Sequence, residues 1–326
     1  MKPFEYSKAE NTTSAIKLAG NSSMYISGGT NLIDLMKKHI HEPDKLIDLT
    51  DAVSSEITVQ ENGIRIGAMV RNSTLAEDSL ILDKFPLLSR AILKGASPQI
   101  RNMASTGGNL LQRTRCPYFY DTALPCNKRI PGSGCGALEG NNRMSAVIGY
   151  SNSCVAVHPS DMCVALVALD TKVEILKPDG NTEMINFEDF HRLPGDNPQK
   201  DNNLPDGAII TAIEIQNNSF NKNYDYLKLR ERESYAFALI SVAAALELSG
   251  NLIREARLAS GGVAHKPWRW KDAENFLKGE NATEENFKKA AELAIEKIAP
   301  LEDNKFKTEM LKGAIQQSFM NCVTNR

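Results

Sequence analysis

The sequence predicts an α+β protein whose character changes near residue 222. Before that point, short strand and helix patterns are separated by Gly-containing turns. After it come three strand-like runs, Tyr224–Arg230, Ser241–Leu248 and Leu252–Ala259, and then a helical stretch over 270–320 with apolar Phe287, Ala291, Leu293 and Ile295. Strands gathered together and followed by helices mark an α+β unit. With 326 residues there is room for two or three domains and a sizeable core.

Element by element, Ser14–Leu18 reads as a short helix, Met24–Ser27 as a buried strand, Asn31–His39 as a helix and Leu46–Leu49 as a second strand. Ile57–Gln60 and Ile64–Ala68 form a hairpin around Asn62-Gly63, a pair suited to a tight turn. Ser73 or Thr74 is expected to cap a short helix. Phe85–Ala96 is a further helix with Leu88, Ile92 and Leu93 on its apolar side, and 97–109 is small and polar. A cysteine-rich loop closes into an expected strand, Cys154–Val157. Ser160 then caps a helix through MCVALVALD. Lys172–Leu176 and Glu183–Asn186 are strands joined by Pro178-Asp179-Gly180, 191–208 is loop by composition, and Ile209–Ile215 is a strand.

Composition excludes several function classes. Apolar residues make up 42% and charged residues 24%, and the net charge is −2, so no global positive field recruits nucleic acid. The longest apolar run, AFALISVAAALEL, is too short and punctuated to span a bilayer. The opening MKPFEYSKAENTTSAIKLAG lacks the apolar stretch of a signal peptide, so no export signal of its own is expected.

Four of the six cysteines, Cys116, Cys126, Cys135 and Cys154, fall in one Gly/Pro-rich stretch with the spacing C-x9-C-x8-C-x18-C. Structural zinc sites use close C-x2–4-C pairs, which are missing here. A long folding-back loop can bring four thiolates to the corners of an iron–sulfur cube. Arg113, Arg115, Lys128 and Arg129 lie beside the first two cysteines and would offset thiolate charge. Spacing alone leaves an iron–sulfur cluster, zinc, and disulfides or free thiols all open. His158 ranks below the cysteines as a ligand, Cys163 reads as a small core residue, and Cys322 as incidental.

Two small-residue stretches offer backbone N–H groups to an anion. Ile26-Ser27-Gly28-Gly29-Thr30-Asn31 follows a strand and opens a helix, and Ala104-Ser105-Thr106-Gly107-Gly108-Asn109 adds hydroxyls and an amide. Together they suit a pyrophosphate clamped from both sides; singly, each is an ordinary turn. The string Gly132-Ser133-Gly134-Cys135-Gly136-Ala137 fits G-x-G-x-x-A but follows no strand, so it is rejected as a dinucleotide fingerprint. Asp161 opens a helix, where a carboxylate is favourable in any case, or accepts a ribityl hydroxyl. Lys228 to Tyr235 concentrates charge at an expected strand-to-helix transition, either as solvated ion pairs or as a cofactor contact.

The motifs ISGGTNLIDLMK, IGAMVRNSTLA, GASPQIRNMASTGGNLLQRTRCPYFYDTALPCNKRIPGSGCGALEG, CVAVHPSDM, KLRERESYAFALISVAAAL and GGVAHKPWR resemble those of the FAD-binding medium subunits of the xanthine dehydrogenase, or molybdenum hydroxylase, family. Within that family the cysteine loop is most similar to that of the flavin and iron–sulfur subunits of bacterial periplasmic aldehyde oxidoreductases. The resemblance implies a vanillyl-alcohol-oxidase-type (PCMH-type) FAD domain over 1–222, in two α/β subdomains of about 1–55 and 56–222 with the cluster loop at 113–156. An α+β domain of the CO dehydrogenase flavoprotein type is implied over 223–326. Met24, Tyr25, Ile26, Ser27, Gly28, Gly29, Thr30, Asn31 and Leu32 would bind FAD, with Thr106, Gly108 and Asn109 opposite, Asp161 and Leu204 also in contact, and Lys228 near the flavin end. Cys116, Cys126, Cys135 and Cys154 would ligate a [4Fe–4S] cluster.

The same resemblance implies an electron-transfer subunit with no acid–base catalytic residue of its own. Its expected partners are a large subunit carrying a molybdopterin-type molybdenum cofactor and a small subunit carrying [2Fe–2S] clusters, in a heterotrimer with no nucleic acid and no membrane insertion. Its compartment would be the periplasm, by co-export with a partner, or the cytoplasm. The alternatives are a stand-alone FAD oxidase with a structural zinc loop, and a non-catalytic assembly subunit.

Overall fold

A computed structural model describes residues 1–324 and divides their strands among three sheets. The first is parallel, in the order β1 (Glu5–Lys8), β3 (Lys45–Asp48), β2 (Ser23–Ile26). The second is antiparallel. It contains β4 (Ile57–Gln60), β5 (Gly63–Gly67), β6 (Lys172–Leu176), β7 (Thr182–Asn186) and β8 (Ile209–Gln216), in the order β4-β5-β8-β6-β7. The third, also antiparallel, orders β9 (Asn223–Leu229), β10 (Ile240–Ser249), β11 (Leu252–Gly261) and β12 (Trp268–Arg269) as β12-β11-β10-β9. Helix Glu284–Ile295 packs against helix Phe306–Thr324, which covers this last sheet. Thr283 caps the first of them by accepting from the Asn286 amide, and Glu284 and Glu285 occupy its positive end. Among the described residues no helix is long and apolar enough to cross a membrane.

Helix Asp161–Ala168 ties these layers together. All eight of its residues are buried, because it packs against helix Pro86–Lys94 on one side and β10 and β11 on the other. Ser160 caps it by accepting from the Cys163 amide, as its sequence suggests. A second core lies between the third sheet and the C-terminal helices, and Val147 and Ile148 from the end of the cysteine loop join it. The Asn304 side-chain amide holds that loop end through the carbonyls of Asn142, Ser145 and Ala146. The loop placed at 113–156 by sequence therefore reaches across to the C-terminal layer.

Several local expectations are corrected. Cys154–Val157 is no strand; only a Ser151–Cys154 bridge forms, and single backbone bonds hold Val155 to Ala146 and His158 to Ala264. Arg71, not Ser73 or Thr74, precedes the short helix Asn72–Glu77, with no side-chain cap. The helix expected over Phe85–Ala96 is Pro86–Lys94, and Leu93 points outward. The polar 97–109 stretch is two short helices, Pro98–Met103 and Thr106–Leu110, capped by Ser97 and Ser105. No helix follows Lys228–Tyr235; Lys228 and Leu229 end β9, and residues 230–239 connect it to β10.

Candidate functional site

Between these layers runs a cleft of about 2240 Å³. Its floor is built where the two small-residue loops touch. The Ser27 and Ser105 hydroxyls are 2.7 Å apart. A Cβ on Gly28 would fall 1.8 Å from the Met103 carbonyl oxygen, so only glycine permits this approach. Gly29 has φ +69°, the left-handed conformation that lets the chain turn from β2 into helix Leu32–Lys37. None of the N–H groups of Gly28, Gly29, Thr30 and Asn31 has an intramolecular partner among the described residues. The Asn31 side chain accepts from the Arg113 amide at 2.9 Å, while its buried Nδ2 has no partner. A buried amide donor without an acceptor is costly, so this atom is poised for an oxygen from outside the chain.

Met24, Tyr25, Ile26, Ser27, Gly28, Gly29, Thr30, Asn31, Leu32, Gly108, Asn109, Asp161, Leu204 and Lys228 all line this cleft. Thr106 does not. It is fully buried, with both its amide and its hydroxyl directed to the Val70 carbonyl, and it braces the second loop from behind. Asn109 Oδ1 accepts from Ser160 and from Gln112, which leaves its Nδ2 end turned to other partners. Asp161 accepts from Lys228 Nζ at 2.7 Å and from the Tyr226 hydroxyl at 2.8 Å. Burial, reinforced by the Asp161 charge, holds the Tyr226 phenol well above its usual range, so it is a permanent donor. Exposed Tyr235 and Phe237 stand at the mouth, the latter under the Arg115 guanidinium.

The four loop cysteines line a second, small pocket together with Lys128. Residues 126 and 135 pair as an isolated bridge, the turn Pro117–Tyr120 starts straight after Cys116, and Arg129 staples the loop through the carbonyls of Tyr118 and Phe119. All six cysteines are unbridged. Zinc–sulfur bonds of about 2.3 Å would set the sulfurs of a tetrahedral site roughly 3.8 Å apart. Among the described residues, no three of these thiols lie mutually within 4.8 Å. The four thiols share one pocket without closing into a zinc-sized tetrahedron. Burial pushes the Cys116 thiol up to about 11 and the Cys154 thiol up to about 12, the latter opposed by Lys128. Thr114, Cys116, Tyr118 and Ala156 line both the small pocket and the large cleft, so the two share a wall.

Beyond the residues singled out in the sequence, the structure adds a buried charge network behind the cysteines. Lys128 contacts Asp201 and His265, and Arg113 reaches the second Asp201 oxygen at 2.5 Å. A separate trio, His158, Cys163 and His191, brings its ligand-type atoms within 4.8 Å. Here His158 Nδ1 accepts from the Ser160 amide, so in the neutral ring that burial enforces, Nε2 carries the proton and is no metal ligand. The trio packs with Phe187 and Phe190 as core.

Comparison with known proteins agrees with this layout. The family described as the FAD binding domain in molybdopterin dehydrogenase matches residues 2–216, and that of the CO dehydrogenase flavoprotein C-terminal domain matches 225–325. The aldehyde oxidoreductase FAD-binding subunit PaoB of Escherichia coli K12 is 49% identical over 85% of this chain and 86% of its own length. The glyceraldehyde dehydrogenase medium chain of Sulfolobus acidocaldarius is 26% identical over 97% of both chains. Among solved structures, the Cu,Mo-CO dehydrogenase chain superposes with a TM-score of 0.78 at 22% identity, covering 100% of each chain.

Proposed function

Because the chain belongs to the FAD-binding medium subunits of the molybdenum hydroxylase family, we propose that it is the FAD- and [4Fe–4S]-carrying electron-transfer subunit of an aldehyde oxidoreductase. In this reading aldehyde oxidation takes place in a large subunit bearing a molybdopterin-type molybdenum cofactor. Electrons arrive through [2Fe–2S] centres of a small subunit and leave to an external acceptor. The observation that carries the reading is the wall shared by the cleft and the cysteine pocket, which makes a flavin and a cluster neighbours.

Bound in these two places, FAD and the cluster supply the electron-carrying chemistry. The chain's own residues bind and orient. The free N–H groups of 28–31 and the partnerless Asn31 Nδ2 offer donors to a pyrophosphate, with Gly108 and Asn109 across from them. Asp161 keeps further lone pairs after accepting from Lys228 and Tyr226, enough for a ribityl hydroxyl. Leu204 and Lys228 border the same region. Cys116, Cys126, Cys135 and Cys154 would hold the cluster, since one pocket gathers all four thiols.

The test is anaerobic purification with the co-expressed partner subunits, followed by a visible spectrum and metal analysis. Flavin bands with about four irons per chain are expected. Zinc without iron, a colourless protein, or aldehyde turnover by this chain alone would overturn the proposal.

A further inference from the structure

Four cations flank the first two cysteines, and the structure separates their roles. Arg129 is spent on loop carbonyls, and Arg115 turns toward Tyr120 and Phe237. Arg113 reaches Asp201, one step back from the thiols. Of the four, Lys128 alone lines the cysteine pocket. Its side chain is 1% exposed, and all three ammonium protons have acceptors: the Pro198 carbonyl at 2.7 Å, His265 Nε2 at 2.6 Å, and Asp201 Oδ1. Complete satisfaction of a buried ammonium by three separate segments leaves it no freedom to swing out to water.

The charge balance around it is equally determined. Burial opposes ionisation of Asp201, but Lys128 and Arg113 together hold its carboxyl well below the usual range. His265 donates from Nδ1 to the Arg192 carbonyl at 2.8 Å and receives Lys128 on Nε2; burial and the lysine keep it neutral, near 4. His41, beside Arg113, is likewise held to about 4 by burial and that arginine. At neutral pH the network is two cations against one carboxylate, a net positive charge with its lysine in the wall of the thiol pocket.

We propose that Lys128, locked by Asp201, Pro198 and His265, is the positioning residue that sets the reduction potential of the iron–sulfur cluster. The inference rests on the cluster reading of the four cysteines. Reduction adds one electron, and so one negative charge, to a group already surrounded by four thiolates. A fixed cation in a water-poor wall favours the reduced form, which raises the potential. The aspartate works in the opposite sense, trimming the field to one net charge. A purely structural network has no such sign.

The experiment uses the chain co-purified with its partners and an EPR-monitored redox titration of the cluster, with iron counted in each sample. K128Q should keep its iron and move the midpoint to more negative potential. D201N, which frees a positive charge, should move it to more positive potential. Unchanged midpoints in iron-replete variants, or shifts of both in the same direction, overturn the inference while leaving the cluster reading intact. If K128Q fails to hold the cluster, D201N decides alone: a positive shift supports the role, and any other result removes it. Wild-type chain without iron removes both readings together.

Discussion

Asp161, at the first turn of the central buried helix, holds Lys228 of β9 at 2.7 Å, and the two side chains are 8% and 2% exposed. One residue comes from the segment matched by the FAD-binding family and the other from the segment matched by the C-terminal family, so this ion pair is a clasp between them on the cleft wall. Lys228 also donates to the Lys94 carbonyl at 3.0 Å, which fastens a third segment. Breaking a buried pair by removing one partner strands the other charge, at a cost of about 3–5 kcal/mol. D161A should therefore lower the denaturation midpoint sharply, and the D161A/K228M double variant should recover part of the loss. A double-mutant cycle by chemical denaturation reads the coupling; additive losses would show that the clasp contributes nothing as a pair.

The contact of Gly28 with the Met103 carbonyl makes a second expectation. G28A places a methyl 1.8 Å from that oxygen, so the two loops must separate. Overpacking of this kind costs roughly 1–3 kcal/mol, and separation opens the Ser27–Ser105 contact that sets the floor. The variant should fold with native circular dichroism yet retain little flavin by absorbance. Full flavin occupancy in G28A would show that the floor does not bind it.

The parts of this site that were legible in the sequence are those with a local signature. Gly28-Gly29 after an apolar run and before a helix announces a turn with free N–H groups, and four cysteines in one Gly/Pro-rich stretch announce a shared centre. Direction was not legible: Thr106 lies in a loop that does line the cleft, but its hydroxyl faces Val70. Long-range partners were not legible either. Lys128 meets Asp201 73 positions away and His265 137 positions away, and no spacing rule connects them. β1 escaped because EYSK has no apolar face; Tyr6 is 58% exposed, and the strand exists through its parallel pairing with β3. The helix Pro98–Met103 was within reach, since Ser97-Pro98 is a capping residue followed by proline at the first position, but the polar composition around it masked the signal.

Removing a single thiol tests the shared pocket. Cys126 is buried against Leu35 and Phe119, so C126S changes one ligand with little change in volume. Iron should fall well below the wild-type count, while flavin bands persist because Cys126 does not line the cleft. In the metal-free chain, Cys116 and Cys154 are neutral thiols at pH 7, and the thiolate is the form that reacts. Their alkylation by iodoacetamide, followed by mass spectrometry, should be slow at neutral pH and accelerate toward pH 11. Rapid labelling of both at pH 7 would show that the pocket is open.

Lys307 supplies a pH dependence whose sign can be worked out. It is fully buried on the last helix, and its Nζ donates to the carbonyls of Ser145 at 2.9 Å and Gly262 at 2.7 Å. Burial, with a smaller push from Arg143, brings it down to about 7 from an ordinary 10.5. A neutral amine has two N–H donors, matching those two carbonyls. Above 10.5 the group is neutral folded and unfolded, and its burial carries no penalty. As pH falls from 10.5 to 7, the unfolded chain takes up a proton that the folded chain refuses, so stability declines. Below 7 both forms are protonated, and the loss levels off. The full span is on the order of 5 kcal/mol. K307M loses the two hydrogen bonds, and with them this slope. Denaturation midpoints of the two proteins between pH 7 and 10 should converge on the acid side and separate on the alkaline side, wild type rising relative to K307M. A constant difference across that range would mean that Lys307 keeps an ordinary proton affinity inside the fold.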